Sequence, residues 1–528
     1  MAEGRWKFWG WGTEGNGLDE AEQRAVIGFY RERLGLAEAQ PFRPPEIDEI
    51  ELRPPRLRAP SSLAGICSSA PYDRLLHTYG KSYPEAVRVF SRDFANAPDL
   101  VARPRSEAEV AAVMDWAADE GAALIPFGGG SSVVGGVEPV VGDGFAGTIS
   151  LDLKGLDRVV EVDRESRAAR IQAGILGPAL ERELRPHGLT LRHFPQSFEY
   201  STLGGWIATR SGGHFATLYT HIDDLVESLR VITPAGAIES RRLPGSGAGP
   251  SPDRMFIGSE GALGVITDAW VRLQERPTHR AGAAIAFADF EAGARAIRAI
   301  GQAGLYPANL RLLDPEEARI NRAGDGSFAL LVLAFESSDH PLGAWQARAL
   351  ELAQDHGGRV LENTSLAEAW RQAFIRMPYQ REILVPLGAL ADTFETAITW
   401  DRFDAFHDHV KRATEAAIVE ATGRPGIVTC RFTHVYPDGP APYFTFHALG
   451  REGALLEQWR HVKHRASDAV IEAGGTITHH HAVGRDHMPW YQRQRPALFG
   501  EALAAAKRTL DPAGILNPGV LLPAPMRG

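Results

Sequence analysis

The stretch Leu124-Ile125-Pro126-Phe127-Gly128-Gly129-Gly130-Ser131-Ser132 decides the fold. A short apolar strand runs straight into consecutive glycines and two hydroxyl residues. Consecutive glycines let backbone N–H groups turn into a concave nest, and an anionic diphosphate suits such a nest. It is neither of the common phosphate loops: no Gly-Lys-Ser/Thr follows, and no Gly-x-Gly-x-x-Gly opens a helix. Upstream, Leu100-Val101-Ala102-Arg103-Pro104 reads as another short strand. Ser106 and Glu109 have the spacing of a capping box ahead of a helix over 110–117. Strand, helix, strand and glycine loop together make a βαβ unit.

Two more glycine-rich segments follow. Gln196-Ser197-Phe198-Glu199-Tyr200-Ser201-Thr202-Leu203-Gly204-Gly205 leads to Ser211-Gly212-Gly213-His214. Small residues there permit close backbone approach to a flat ligand, and the hydroxyls supply short hydrogen bonds. The alternative is a helix start capped by Ser201 or Thr202. The last segment, Gly258-Ser259-Glu260-Gly261-Ala262-Leu263-Gly264-Val265-Ile266, is a turn feeding a strand.

Further out, β-rich runs broken by glycine occupy 148–153, 159–162, 168–173, 229–232 and 264–273, with helical patterns at 176–184 and 202–208. The texture changes after Glu275-Arg276-Pro277. Long helical stretches at 290–303, 342–356, 400–422 and 452–473 alternate with strands at 308–313, 329–335, 427–436 and 443–447. That alternation predicts a second, α+β domain. The expected division is an N-terminal extension and strap over 1–94, a first domain over 95–276, a second over 277–495, and a closing helix and tail over 496–528. Within the extension, a polar helix over Glu20–Leu34 precedes a proline-rich strap at 41–60.

The 528 residues include 56 basic and 66 acidic side chains, for a formal charge of −10. That balance argues against a nucleic-acid protein working through bulk charge. Cys67 and Cys430 are too few for a disulfide framework or a cysteine-held metal cluster. No apolar run is long enough for a membrane span. The opening residues lack the apolar core of a secretion signal, and Pro525-Met526-Arg527-Gly528 is not a peroxisomal address. The expected compartment is the cytoplasm, with at most peripheral membrane contact.

In order, the glycine segments and the closing Leu510-Asp511-Pro512-Ala513-Gly514-Ile515-Leu516-Asn517-Pro518-Gly519 resemble the FAD-binding domain of the vanillyl-alcohol oxidase superfamily. The resemblance implies a two-part FAD-binding domain with an α+β cap. Pro126, Phe127, Gly128, Gly129, Gly130, Ser131 and Ser132 would wrap the pyrophosphate. Gln196, Ser197, Phe198, Glu199, Tyr200, Ser201 and Thr202 would line the rest of FAD. So would Ser211, Gly212, Gly213 and His214, and the run Glu260, Gly261, Ala262, Leu263, Gly264, Val265 and Ile266. His214 resembles a flavin-bonded histidine of some relatives, but it follows the pyrophosphate loop, the wrong order for that role. Non-covalent FAD is expected.

Chemistry then falls to the cap. Thr478-His479-His480-His481-Ala482-Val483-Gly484-Arg485-Asp486-His487 is the most unusual string in the chain. On an extended segment His479 and His481 would share one face. A proton shuttle, a metal site and a solvated run are the readings. A metal needs further ligands, and only His487 is near, so no metal is expected and proton chemistry is preferred. Arg381, in Met377-Pro378-Tyr379-Gln380-Arg381-Glu382, is suited to hold a carbonyl or phosphate, with a surface ion pair as the alternative. Pro442-Tyr443-Phe444-Thr445-Phe446 alternates, with Tyr443 and Thr445 on one face and the phenylalanines on the other. Tyr443 is an acid/base candidate or a packing residue. Arg311 and Leu313 share a strand face, with a buried Arg–Asp network through Asp314 as the structural alternative.

Arg5-Trp6, Trp9-Gly10-Trp11-Gly12, Arg311-Leu312-Leu313-Asp314, Tyr379-Gln380-Arg381-Glu382, Phe394-Glu395-Thr396, Trp400-Asp401-Arg402, Tyr443-Phe444 and His479-His480-His481 resemble the alkyldihydroxyacetonephosphate synthase family. That family exchanges the acyl chain of acyl-dihydroxyacetone phosphate for a long-chain alcohol, using FAD without net redox through a flavin N5 adduct. The resemblance implies that Tyr443 moves the proton at the substrate carbon, its phenol pKa lowered or its proton relayed. His479, His480 and His481 would provide that setting, with charges tuned near neutral pH. Arg381 would bind the polar head, Arg311 would brace the site, and cap Phe and Leu residues would line an alkyl channel. A lipid-like small-molecule substrate and a homodimer are expected. Ile515-Leu516-Asn517-Pro518-Gly519 is closer to the D-lactate and glycolate dehydrogenase branch. The alternative is therefore an FAD-dependent D-2-hydroxy-acid dehydrogenase or oxidase, with Arg381 on the substrate carboxylate.

Overall fold

A computed structural model describes residues 4–36, 43–362 and 365–524. The βαβ unit is present. Leu100–Ala102 and Ala123–Phe127 flank Thr148–Asp152 in parallel, the helix Glu107–Asp119 connects them, and Cys67–Ser68 pairs antiparallel on the outer edge. Ser106 caps the helix by accepting from the N–H of Glu109. The other half of the predicted capping box is absent, because the Glu109 carboxylate accepts from the N–H of Arg105 instead. The C-terminal segment returns to this sheet: Leu124 N–H donates to Ile515, and Asn517 N–H donates to Leu124.

Beside it stands a five-stranded antiparallel sheet in the order Val159–Asp163, Ala168–Gln172, Val265–Arg272, Val226–Thr233, Gly236–Glu239. Ile171, Leu229, Val231 and Ala269 pack with Leu180, Leu203 and Trp206 of two short helices. Gln274–Glu275 still pairs with Leu189–Thr190 of this half.

From His279 a seven-stranded antiparallel sheet begins. Its order is Arg359–Val360, His279–Phe287, Ala329–Ser337, Asn309–Leu313, Ile427–Val435, Pro440–Leu449, Ala389–Glu395. Period-two alternation divides its faces. Leu310, Leu312, Cys430, Phe432, Phe444 and Phe446 pack with Ile297, Phe403, Phe406 and Val462 of the covering helices. Arg311, Arg431, Thr433, Tyr443 and Thr445 take the opposite face, toward the glycine loops. The predicted α+β architecture is therefore the observed one. Three of these strands are absent from the sequence reading. Arg359–Val360 is only two residues long, His279–Phe287 is alanine-rich with weak β-propensity, and pairing with neighbouring strands holds these two and Ala389–Glu395 extended.

The helix Glu20–Leu34 has a full capping box from Asp19 and Glu22, and it ends on Gly35 with φ 71°. Residues 41 and 42 of the predicted strap lie outside the described residues. Further along the strap, Arg53 and Arg56 both pair with the buried Asp99 of the first half. No helix among the described residues is long and apolar enough to cross a membrane.

Candidate active site

Between the glycine loops and the polar face of the large sheet lies a cavity of about 320 Å³. It is lined by Gly128–Ser132, Gln196, Ser197, Ser201, Thr202 and Ser211–His214 on one side, and by Arg311, Arg431, Thr433, His434, Tyr443, His480 and His481 on the other. No backbone N–H from 128 to 133 finds an acceptor among the described residues. Such a row of unpaired donors has the chemistry of a diphosphate cradle. The hydroxyl wall beside it is set by local bonds: Ser197 donates to Ser201 at 3.0 Å, and Trp206 Nε1 donates to Ser201 at 2.6 Å. These donors fit a flavin dinucleotide.

Several residues expected around the flavin lie outside the lining of this cavity. Phe127 packs behind the loop, its ring 4.4 Å from that of His77, and Pro126 abuts Gly261. Phe198 stacks on Trp206, Glu199 is exposed, and Tyr200 is buried beneath Trp6 and Trp11. The segment from Glu260 to Ile266 does not line this cavity. Glu260 instead accepts from the N–H groups of Val483 and Gly484, each at 2.9 Å, while Val265 and Ile266 enter the five-stranded sheet. His214 accepts from Asn309 Nδ2 of the large sheet at 2.6 Å, and burial pushes its ring well below the usual histidine pKa.

Tyr443 donates its phenol proton to Thr393 at 3.0 Å and lies over the guanidinium of Arg431. Burial raises the phenol pKa, and Arg431 only partly offsets that rise. The lowering that the resemblance called for is not what the pocket produces, because desolvation of the phenolate outweighs the facing cation. Tyr443 holds its proton at neutral pH. The ring of His480 lies roughly parallel to it at 6.1 Å, and that of His481 meets it edge-on at 5.4 Å.

The histidine string does not run extended. It bends around one carboxylate: Glu395 accepts from the N–H groups of His479 at 2.7 Å, His480 at 3.1 Å and His481 at 2.9 Å, and from Thr478 Oγ1 at 2.6 Å. The predicted shared face of His479 and His481 is therefore wrong. His480 and His481 line the cavity, while His479 turns away to Tyr436 Oη at 2.7 Å, which in turn bonds His221. Nor are the imidazoles poised near neutral pH. Burial pushes His480 down to about 3 and His481 to about 4, so both are neutral bases. His487 lies apart, bonded to the Ala482 carbonyl at 3.0 Å. His434 instead joins His479 and His480, with their nearest ring nitrogens within 4.8 Å of one another.

Arg381 is already occupied: it donates to the Lys81 carbonyl and to Asp392 at 3.0 Å. Arg431 pairs with Glu317, which also accepts from Thr429. Arg311 is not in an Arg–Asp network, since Asp314 is committed to the N–H groups of Glu317 at 2.6 Å and Cys430 at 2.7 Å.

Sequence reasoning missed Arg431, Thr433 and His434, which line the cavity, and Tyr436, which bonds His479. Strand alternation extended from Tyr443 onto the paired 427–435 strand would have found Arg431 and Thr433. Burial pushes Lys81, which also lines the cavity, down to about 8. The aromatic opening forms another wall: Lys7 pairs with Glu382 at 2.9 Å and Trp11 N–H donates to it at 2.6 Å, placing Phe8, Trp9 and Trp11 along the cavity.

Two family models match the chain, one described as an FAD binding domain over 98–240 and one as the C-terminal domain of FAD linked oxidases over 276–521. With the cradle and the facing sheet, they define an FAD-binding flavoprotein of vanillyl-alcohol oxidase type. An alkyldihydroxyacetonephosphate synthase of Dictyostelium discoideum is 31% identical over 476 residues, covering 85% of this chain and 77% of that protein. The chain belongs to the alkyldihydroxyacetonephosphate synthase family. A solved alkyldihydroxyacetonephosphate synthase structure matches with a TM-score of 0.80 at 27% identity, covering 97% of this chain and 98% of its own. The glycolate oxidase subunit of Bacillus subtilis is 28% identical over 451 residues, covering 82% of this chain and 91% of that protein. A p-cresol methylhydroxylase structure shares the fold at a TM-score of 0.68, with 13% identity, covering 96% of this chain and 98% of its own.

Proposed function

We propose that the protein exchanges the acyl chain of acyl-dihydroxyacetone phosphate for a fatty alcohol, without net redox. The observation that carries this reading is the position of Tyr443. A protonated phenol flanked by neutral His480 and His481 faces the hydroxyl wall of the flavin cradle. When bound, FAD would supply the nucleophilic ring nitrogen that such an exchange requires.

The chain's own groups account for the rest. In the exchange, the bond from the substrate carbon to the departing carboxylate breaks, a bond to the alcohol oxygen forms, and the alcohol proton is released. Tyr443 Oη moves a proton at the substrate carbon, and the neutral imidazole of His481, its ring edge-on to that of Tyr443 at 5.4 Å, is the neighbouring base. Val89, Phe90, Leu384 and the N-terminal aromatic residues form an apolar wall. Burying an alkyl chain against it contributes about 0.8 kcal/mol per CH₂.

The test is incubation of the flavin-loaded protein with palmitoyl-dihydroxyacetone phosphate and hexadecanol. The expected result is equal amounts of free palmitate and alkyl product, and no turnover overturns the proposal. The likeness to a glycolate oxidase subunit supports a second reading, oxidation of a D-2-hydroxy acid. Anaerobic bleaching of the flavin by D-lactate or glycolate would favour it.

A further inference from the structure

Among the described residues three guanidinium groups line the cavity, and two of them are neutralised. Arg431 pairs with Glu317 and Arg381 with Asp392. Arg311 is the exception. It is 2% exposed, and its Nε and Nη1 are buried with no hydrogen-bond partner. No carboxylate of the described residues lies within ion-pair distance of it. Its surroundings are the ring of Phe374, 4.6 Å beneath its central carbon, the positive field of Arg431, and the neutral rings of His214 and His434. Burial and Arg431 together push it down to about 9.

A buried, unpaired guanidinium is a destabilising choice for a core position unless something completes it. Its fork of N–H donors matches carboxylate and phosphate oxygens. The strand Asn309–Leu313 holds it rigidly on the cavity face beside Arg431.

We propose that Arg311 anchors an oxyanion subsite of the cavity, which takes the phosphate or carboxylate group of the substrate. This deepens the functional reading above and moves the head-binding role from Arg381, whose charge is spent on Asp392, to Arg311. It holds equally for a phosphate ester and for a 2-hydroxy acid, since both present an oxyanion.

The test needs binding and no turnover, so its failure is separate from failure of the exchange reading. Flavin-loaded full-length protein is titrated with inorganic phosphate and, in parallel, with D-lactate, following the flavin absorbance and the melting temperature. The expected result is a saturable response to at least one anion. Stronger phosphate binding identifies a phosphate ester as the source, and stronger lactate binding a hydroxy acid. Arg311→Met is expected to weaken that binding at least tenfold without lowering the melting temperature of the anion-free protein, while Lys81→Met retains it. If Arg311→Met does not retain flavin, Arg311→Lys serves: it keeps the charge, loses the fork, and should weaken the anion tenfold at unchanged flavin content. No saturable response to either anion overturns the proposal. So does unchanged anion affinity in the Arg311 variants, or loss in Lys81→Met alone.

Discussion

The guanidinium carbon of Arg431 lies 3.8 Å from the ring centroid of Tyr443, and the two residues are register partners on adjacent strands. The sheet itself therefore sets their contact. A cation fixed against a buried phenol favours the phenolate, though here it does not overcome burial.

Replacing Tyr443 by Phe should leave the fold intact and remove the exchange reaction. The lost bond to Thr393 is a single neutral hydrogen bond, so stability should change by about 1 kcal/mol. Loss of a positioned acid/base group lowers rates by about 10²–10⁴-fold. Initial rates and thermal melts of Tyr443→Phe check both statements. A variant with normal turnover would show that the phenol moves no proton in the reaction.

Beneath Tyr443, the Arg431–Glu317 pair has side chains only 1% and 3% exposed. Removing one partner strands the other charge in the core. Glu317→Ala should therefore cost about 3–5 kcal/mol in urea denaturation. The double variant Glu317→Leu/Arg431→Met should recover most of that loss, because the two charges leave together. Additive losses in the double variant would contradict a mutually dependent pair.

The buried imidazoles set the pH dependence of folding. His480 is pushed down to about 3, and His481 and His487 to about 4, in each case mainly by burial. Unfolded, each takes a proton near about pH 6.5. Between those values the unfolded chain binds more protons than the folded one, so stability is full above about pH 6.5 and falls as the solution is acidified. Each such group contributes a slope of about 1.4 kcal/mol per pH unit. Glu395 continues the loss at lower pH. Burial opposes its ionisation, but His480, His481, His479 and the hydroxyl of Thr478 hold it well below the ordinary carboxylate range. His487→Phe should flatten the slope between neutral pH and about pH 5. That position suits the test because His487 Nε2 is buried without a partner. An unaltered slope in urea titrations at several pH values would refute this account.

What could be read from the sequence was local. The glycine loop, the alternation of Tyr443 through Phe446 and the shared face of Arg311 and Leu313 each follow from near neighbours and a fixed side-chain period. The histidine string was misread because its conformation is imposed from afar. Glu395 gathers three successive N–H groups of residues 84 to 86 positions away, and a stretch that looks extended becomes a bend. The bonds of Glu260 are set from afar in the same way, by backbone 223 and 224 positions away. Nor does local sequence show that Arg381 meets a carboxylate and Arg311 meets none among the described residues. Asp392 neutralises the first, and Asp314 turns from the second to cap the helix Pro315–Ile320.

The cradle itself is tested at Gly129. A Cβ there would fall 1.7 Å from the carbonyl oxygen of Tyr200, so alanine cannot enter unless the loop or the 200–201 backbone moves. Tyr200 is poorly placed to give way. Its hydroxyl accepts from Asn16 at 3.0 Å and contacts that of Tyr379 at 3.3 Å, with Trp6 and Trp11 edge-on against its ring. The loop is then the part that shifts, and its aligned N–H groups lose their common focus. Gly188 provides the comparison: its φ is +73° and no atom lies within 4 Å of an added Cβ. Alanine there carries only left-handed backbone strain of about 1–2 kcal/mol. Gly129→Ala should therefore purify with little visible flavin absorbance relative to its protein band, whereas Gly188→Ala keeps its flavin and merely melts earlier. Full flavin content in Gly129→Ala would mean that the backbone from 128 to 133 is not what grips the diphosphate.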